Sequence, residues 1–414
     1  MKKTIVLLLI IIFIIGCSNV KKNTIIETYN FTKKIDYLGY ITSYTIYGNF
    51  FNLEGYINDN NKDLKLVLKS NNNELEYEII SELKDNRVYF KTNKLINEGI
   101  NLEEINNGNY LVLLKSNNNY YTLAKKNKYN ELNYYTITKD KKNKEINISF
   151  MKFDDKEYLM FNVNDTDLPN NIYDIVIDPG HGGKDVGASS NGNHESDFTL
   201  DYSLSLKEKL EDIGLKVKIT RDKDVSIPNY GESGRVSIPY QVKAKLMLSI
   251  HLNSSNSKTS EGGVEIYVPN NANLSFAKDL ANNIVSNTST IYSKNPESRI
   301  DNGVYLRTLS KSDIENMKKD AIENNYTPYE KASTSSTYYY IIRETGGIIT
   351  GAYNDDRNPK KDGNPYVNSN HGCESYLVEL GYITSSKNLE ILKQEKEKYI
   401  DAIVKSVKDY LEIS

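Results

Sequence analysis

Tryptophan is absent from the 414 residues, and cysteine occurs only as Cys17 and Cys373. Cys17 closes an apolar N-terminal segment and Cys373 lies far toward the C-terminus. The chain therefore reads as disulfide-free, and cysteine usage says little about redox compartment. Basic clusters are missing as well. No dense Lys/Arg run follows residue 3, the formal net charge is -3 and the pI is about 6.0. A nucleic-acid binder carries a basic patch, so the composition argues against nucleic acid as a partner. Tyrosine is abundant at 33 residues. Tyr-rich, Asn-rich surfaces suit strands and polar ligands such as sugars, although codon bias is the simpler account.

No long hydrophobic run is present beyond the N-terminus. There, Lys2 and Lys3 precede an apolar stretch from Ile5 to Gly16. That stretch is short for a membrane span and has the order of a signal peptide. It ends Ile14-Ile15-Gly16-Cys17, which resembles a bacterial lipobox. The resemblance implies cleavage before Cys17 and lipidation of its sulfur, hence an extracytoplasmic protein anchored to a membrane. Cys17 supplies the thiolate that such attachment needs. The competing reading is an uncleaved N-terminal anchor. Removing residues 1–16 takes away Lys2 and Lys3 and moves the formal charge from -3 to -5.

Residues 17–30 read as a tether. From 31 to 163 the texture is short apolar stretches, such as Leu64–Leu68 and Tyr110–Leu114, between turns such as Ser70-Asn71-Asn72-Asn73. Short strands at regular spacing predict a small antiparallel β-sandwich, for which an immunoglobulin-like form is one option. It contains no His and reads as a spacer or wall-binding module. Residues 164–171 read as a linker. From 172 to 414 strands alternate with helices. Strands are expected at Ile172–Asp178, Leu215–Thr220, Leu246–Ile250, Val264–Val268 and Tyr376–Leu380. Helices are expected along Leu200, Leu204, Leu210 and Ile213, over Leu274–Val285 and over Leu389–Leu411. This alternation predicts an α/β domain with a largely parallel, helix-flanked sheet.

Three polar residues of this domain fall at the ends of apolar strands: His181, His251 and Glu379. The carboxyl ends of strands are where open α/β sheets bind ligands. Glu195 lies in the loop before the first helix. Two His and one Glu are a common ligand set for catalytic zinc, with the fourth position left to water, and a further carboxylate can act as base and then acid. Gly180, Gly182 and Gly183 let the backbone turn sharply at His181.

Ile177-Asp178-Pro179-Gly180-His181-Gly182-Gly183-Lys184-Asp185, with Gly187-Ala188 after it, resembles the opening motif of zinc-dependent N-acetylmuramoyl-L-alanine amidases. Ser249-Ile250-His251-Leu252-Asn253 resembles their second His motif, and Val378-Glu379-Leu380-Gly381-Tyr382-Ile383-Thr384 their catalytic Glu motif. Thr220-Arg221-Asp222 and Gly263-Val264-Glu265-Ile266-Tyr267 also fit. The resemblance covers about residues 172–411. It implies Zn2+ bound by His181, Glu195 and His251, with Glu379 as general base. It also implies peptidoglycan as substrate, cut between N-acetylmuramic acid and L-alanine. One departure is Ser196, where the family usually has Lys or a similar residue. His194 is a competitor for the place of Glu195.

Other residues compete for roles. Arg343 is a candidate for binding a peptide-stem carboxylate, against the reading of a solvated surface Arg. His371 beside Cys373 offers two potential metal ligands without a second pair. The stretch 308–372 is longer than a minimal domain needs, and part of 308–345 is expected to pack near the site as a lid. Two other functions compete with amidase activity: a zinc peptidase acting within the peptide stem, and a non-catalytic wall-binding lipoprotein.

Overall fold

The computed structural model describes residues 37–117, 119–125, 129, 131–136, 143–153, 156–229, 233–255, 262–270, 272–323, 333–345 and 369–413. The expected export segment, Cys17 and the tether lie outside them. Among the described residues no helix is long and apolar enough to cross a membrane.

The first half is β-rich, as its short alternating apolar stretches predict. Its strands are β1 Tyr37–Tyr47, β2 Phe50–Ile57, β3 Lys65–Lys69, β4 Glu74–Glu78, β5 Ile80–Lys84 and β6 Arg87–Lys91. They continue as β7 Ile100–Asn101, β8 Gly108–Ser116, β9 Asn119–Lys125, β10 Leu132–Tyr135, β11 Lys144–Phe153 and β12 Lys156–Asp165. Period-two burial runs through them: Leu66 and Leu68, or Ile146 and Ile148, face a core shared with Tyr44, Phe51 and Phe161. Phe51 and Phe161 meet edge to face at 4.9 Å.

Two expectations for this region need correction. Hydrogen bonding joins its strands into one network rather than the two separate sheets of an immunoglobulin-like sandwich. The network is also not wholly antiparallel, because β1 runs parallel to β9. Side-chain alternation marks which residues face inward but not which strand lies alongside.

The second half contains β13 Ile175–Pro179, β14 Ser189–Ser190, β15 Asn193–His194, β16 Val217–Ile219, β17 Leu246–Asn253, β18 Glu265–Tyr267, β19 Arg299–Asp301, β20 Val304–Tyr305, β21 Ser369–Gly372 and β22 Glu374–Tyr382. Its helices are α1 Glu195–Asp212, α2 Ile238–Gln241, α3 Ser275–Asn287, α4 Lys311–Glu323, α5 Tyr340–Thr345, α6 Ser386–Gln394 and α7 Lys396–Tyr410. The main sheet has the order β16-β13-β17-β22-β18-β20-β19. Its first four strands are parallel, but β18 is antiparallel to β22 and β19 to β20. The sheet is thus mixed, with the parallel part centred on the strands that carry His181, His251 and Glu379.

Alternate residues of each central strand enter different cores. Ile175, Ile177, Leu248, Ile250, Tyr376 and Val378 pack with α1, α3 and α7. Val176, Met247 and Leu377 pack on the other face with Ile341 and Ile342 of α5. Helices cover both faces, which explains why these strands are nearly continuous apolar runs.

The stripe that α1 buries differs from the expected one. Glu195, Thr199, Tyr202, Leu206 and Leu210 face inward, while Leu204 is 39% exposed. The true stripe is partly polar, and its first member is Glu195. The expected single helix over Leu389–Leu411 is two helices, broken at Glu395, whose carboxylate takes the backbone N–H and hydroxyl of Ser289.

The halves share hydrogen bonds and an ion pair. The strand β21 runs parallel to β1, pairing Tyr44 with Ser369 and Tyr47 with Gly372. Lys245, at the foot of β17, is buried and lies 2.6 Å from Glu103 and 4.8 Å from the Tyr134 ring centre. Burial pushes its ammonium pKa down, against the pull of Glu103. Asn97 donates to Glu374 at 2.9 Å. Removing one partner of a largely buried pair strands the other. Glu103→Gln is therefore expected to cost about 1–3 kcal/mol, read as a lower midpoint of one cooperative unfolding transition. Two transitions, with only the first moved, would show that the halves are not coupled.

Candidate active site

The site begins with a loop that is held by its carbonyls. At the end of β13, Asp178 is buried and accepts from Arg235 at 2.5 Å, Thr220 at 2.6 Å and Ser249 at 2.8 Å. Burial opposes the charge of Asp178, but Arg235 and the two hydroxyls outweigh it and lower its pKa. Two buried guanidinium groups then clamp the next three residues. Arg221 donates to the carbonyls of Pro179 and Gly180 (3.1 and 2.9 Å), and Arg235 to those of Pro179 and His181 (2.7 and 2.5 Å). Thr199 of α1 adds a second donor to the Gly180 carbonyl at 2.8 Å.

This clamp holds an unusual backbone. His181 has φ 60°, in the left-handed region that non-glycine residues enter at a cost of about 1–3 kcal/mol. Gly180 is required by space, since a Cβ there would lie 2.3 Å from Cε1 of His251.

His251 extends from the end of β17, and Glu195 opens α1. Oε1 of Glu195 lies 3.1 Å from Nε2 of His181 and 3.0 Å from Nδ1 of His251. Two backbone N–H groups fix the carboxylate: Leu252 donates to Oε1 at 3.0 Å and Ala188 to Oε2 at 2.9 Å. The other ring nitrogen of His181, Nδ1, lies 2.9 Å from Asp185. Burial works against the charge of Glu195, yet the two imidazoles hold its pKa well below the usual carboxylate range. Burial likewise opposes the charge of His181, but Glu195 and Asp185 raise its pKa.

Among the described residues, His181, Glu195 and His251 are the group whose ligand atoms converge closely enough to hold a metal ion, all within 4.8 Å of one another. A tetrahedral shell with bonds of about 2.0–2.1 Å has ligand atoms about 3.3 Å apart. The two separations from Glu195 are close to that, and the nitrogen and oxygen donors suit zinc.

Glu379 faces this cluster from β22, beside His251 in the strand register. It is 7% exposed, and among the described residues its Oε2 has no hydrogen-bond partner. Burial, and then the negative charges of Glu195 and Glu265, push its pKa well above the ordinary value. The four residues line a cavity of about 670 Å³, walled by Tyr339 and Tyr340.

Glu265 sits opposite Glu379 on β18. It is fully buried and accepts from Asn253, Tyr267, Ser293 and Tyr382. The sequence placed it within a motif without a role. Arg235 carried no signal at all, being an isolated Arg in a polar stretch.

The other candidates lie elsewhere. His194 precedes α1 and its Nδ1 is 2.9 Å from the Ser189 hydroxyl, apart from the cluster. Ser196 is buried, and its carbonyl accepts from Arg221. Arg343 is also buried and donates to the carbonyls of Thr337 and Tyr338, away from the cavity wall. His371 and Cys373 lie at the contact between the halves, where burial pushes the His371 pKa down to about 3 and the Cys373 thiol pKa up. Of the long insert, Tyr339 and Tyr340 reach the site, while 324–332 and 346–368 lie outside the described residues.

Residues 175–409 match the family model described as N-acetylmuramoyl-L-alanine amidase. A "Germination-specific N-acetylmuramoyl-L-alanine amidase" of Bacillus subtilis is 33% identical over 104 residues, 22% of this chain and 44% of that protein. A "Probable cell wall amidase LytH" of Staphylococcus aureus is 39% identical over 98 residues, 22% of this chain and 30% of that protein. The match thus spans less than half the length of these relatives. Among solved structures, the amidase AmiC2 of Nostoc punctiforme aligns with TM-score 0.39 and 24% identity, over 59% of this chain and 98% of that one. The catalytic domain of CwlV from Bacillus (Paenibacillus) polymyxa aligns with TM-score 0.39 and 23% identity, over 59% and 100%. With more than half of its length matched by the family model, the chain belongs to the N-acetylmuramoyl-L-alanine amidase family.

Proposed function

We propose that this protein hydrolyses the amide between N-acetylmuramic acid and L-alanine in peptidoglycan, with zinc held by His181, Glu195 and His251 and Glu379 as general base. The observation that carries the reading is the convergence of both imidazoles on one oxygen of Glu195, in a cavity that also holds the buried carboxyl of Glu379. Zinc, when bound, polarises the scissile carbonyl and lowers the pKa of a water. Glu379 takes the proton of the attacking water and returns it to the leaving amine nitrogen. Asp185 orients His181 through Nδ1, and the N–H groups of Leu252 and Ala188 orient Glu195, the supporting contacts that metal ligands require.

The proposed division is a signal segment 1–16, a tether 17–30, a β-rich region 31–163, a linker 164–171 and a catalytic region 172–414. The order Lys2, Lys3, apolar run, Gly16-Cys17 supports export and a lipid anchor.

Three outcomes are expected. The mature protein binds one zinc, and His181→Ala or His251→Ala abolishes it; equal metal content in all three would sink the assignment. Glu379→Gln keeps zinc and stability but lowers turnover about 10²–10⁴-fold, with products beginning at L-alanine in the wild type; undiminished turnover, or cuts inside the stem, would overturn the mechanism. Cys17→Ala leaves an unprocessed precursor or frees the protein from membranes; normal processing with normal retention excludes lipidation.

A further inference from the structure

A second cavity, of about 650 Å³, adjoins the first and shares Asn253, Ser254 and Tyr339 with it. Arg307 lines it. The guanidinium of Arg307 lies over the Tyr338 ring, 3.6 Å from its centre, and 5.8 Å from that of Tyr339. The two residues are tied through the backbone as well: Tyr338 N–H donates to the Arg307 carbonyl at 2.8 Å, and Leu309 N–H to that of Ser336 at 2.9 Å. Tyr339 is wedged edge-on against Tyr338 and Tyr267 at 5.2 and 4.7 Å.

Stacking occupies a face of the guanidinium and leaves its N–H groups in the plane; one bonds the Tyr339 side chain, and the others keep the in-plane geometry that takes a carboxylate. Among the described residues no carboxylate forms an ion pair with Arg307. Asp313, the acid that follows it in α4, is held by the backbone N–H and hydroxyl of Ser310 at 2.7 and 2.6 Å. Glu297 is the acid on the cavity wall, against Lys294 and Arg307. Two cations and one acid thus line the cavity, the carboxylate of Glu265 behind the wall is taken up by Asn253, Tyr267, Ser293 and Tyr382, and the guanidinium of Arg307 is preset by aromatic packing.

We infer that Arg307, held by Tyr338, binds a free carboxylate of the peptide stem and selects acidic over amidated stems. The inference rests on the amidase reading for the identity of the substrate. A stem whose first amide lies at the His181–Glu195–His251 cluster leads into the adjoining cavity past Tyr339. Arg307 touches substrate remote from the reacting bond, so its contribution falls on binding.

The test uses the mature protein and two synthetic muramoyl peptides that differ only in whether the stem carboxyls are free or amidated. It is paired with calorimetric binding of the two corresponding free peptides. The wild type is expected to favour the free acid about 10-fold in KM and in peptide affinity, the worth of one charge-assisted contact. Arg307→Gln erases this preference and Arg307→Lys restores part of it. Tyr338→Ala weakens the preference by loosening the guanidinium. A preference that survives Arg307→Gln, or is absent from the wild type, overturns the inference while turnover of both substrates upholds the amidase reading. Binding that depends on Arg307 without turnover of either substrate upholds the inference and sinks the reading. Neither turnover nor binding overturns both.

Discussion

The site depends on a buried charge at its base, the carboxylate of Asp178. Asp178 neutralises Arg235, and Arg235 together with Arg221 holds three successive carbonyls. A buried ion pair adds little net stability on its own, because desolvation offsets most of the attraction. Its value here is geometric. The loop from Pro179 to His181 has no ladder partner for those carbonyls, and buried carbonyls must be paired. The arginines pair them and keep His181 in a left-handed conformation that it would otherwise leave.

The second constraint is the placement of Glu195. It heads the buried stripe of α1, so packing of Tyr202, Leu206 and Leu210 beneath it sets the height of its carboxylate. Thr199, one turn further, bonds Gly180 and joins helix to loop. Helix, loop and strand β17 thus converge through side chains of three kinds: an acid, a hydroxyl and two imidazoles. The same logic explains the glycines, since a Cβ at Gly187 would press on both Glu195 and His181, at 2.6 and 2.7 Å.

The residues that the structure brings together at the cavity were legible because chemistry-bearing side chains at strand ends stand out against apolar runs. His181, His251 and Glu379 each follow or close such a run, and Glu195 stands ahead of a helical pattern. What was hidden was of two kinds. Contacts carried by polar residues doing structural work gave no periodic signal: Thr199 and Tyr202 in the stripe of α1, Glu395 at a helix break, Arg235 in a loop. Partnerships between distant strands were hidden as well, because alternation states which face is buried and not what lies beside it. The parallel pairing of β1 with β9, and the mixed edge of the second sheet, belong to this kind. The walls of the cavity were half legible. The insert was expected near the site, yet it was Tyr339 and Tyr340 rather than Arg343 that reached it.

The pairing of β1 with β21 bears on how the molecule is made. It joins the first described strand to one that lies far along the chain, at Ser369–Gly372. Parallel contacts of such sequence separation carry a large loop-closure cost and form late. Until then the edge of β1 at Tyr44–Tyr47 presents open backbone groups, the condition under which strands recruit the wrong neighbour. The strand that closes it also leads, through Gly372 and Cys373, straight into the strand bearing Glu379. Completion of the first sheet and placement of Glu379 beside the His181–Glu195–His251 cluster therefore depend on one continuous stretch of chain, so that the cavity is assembled only as the two halves dock.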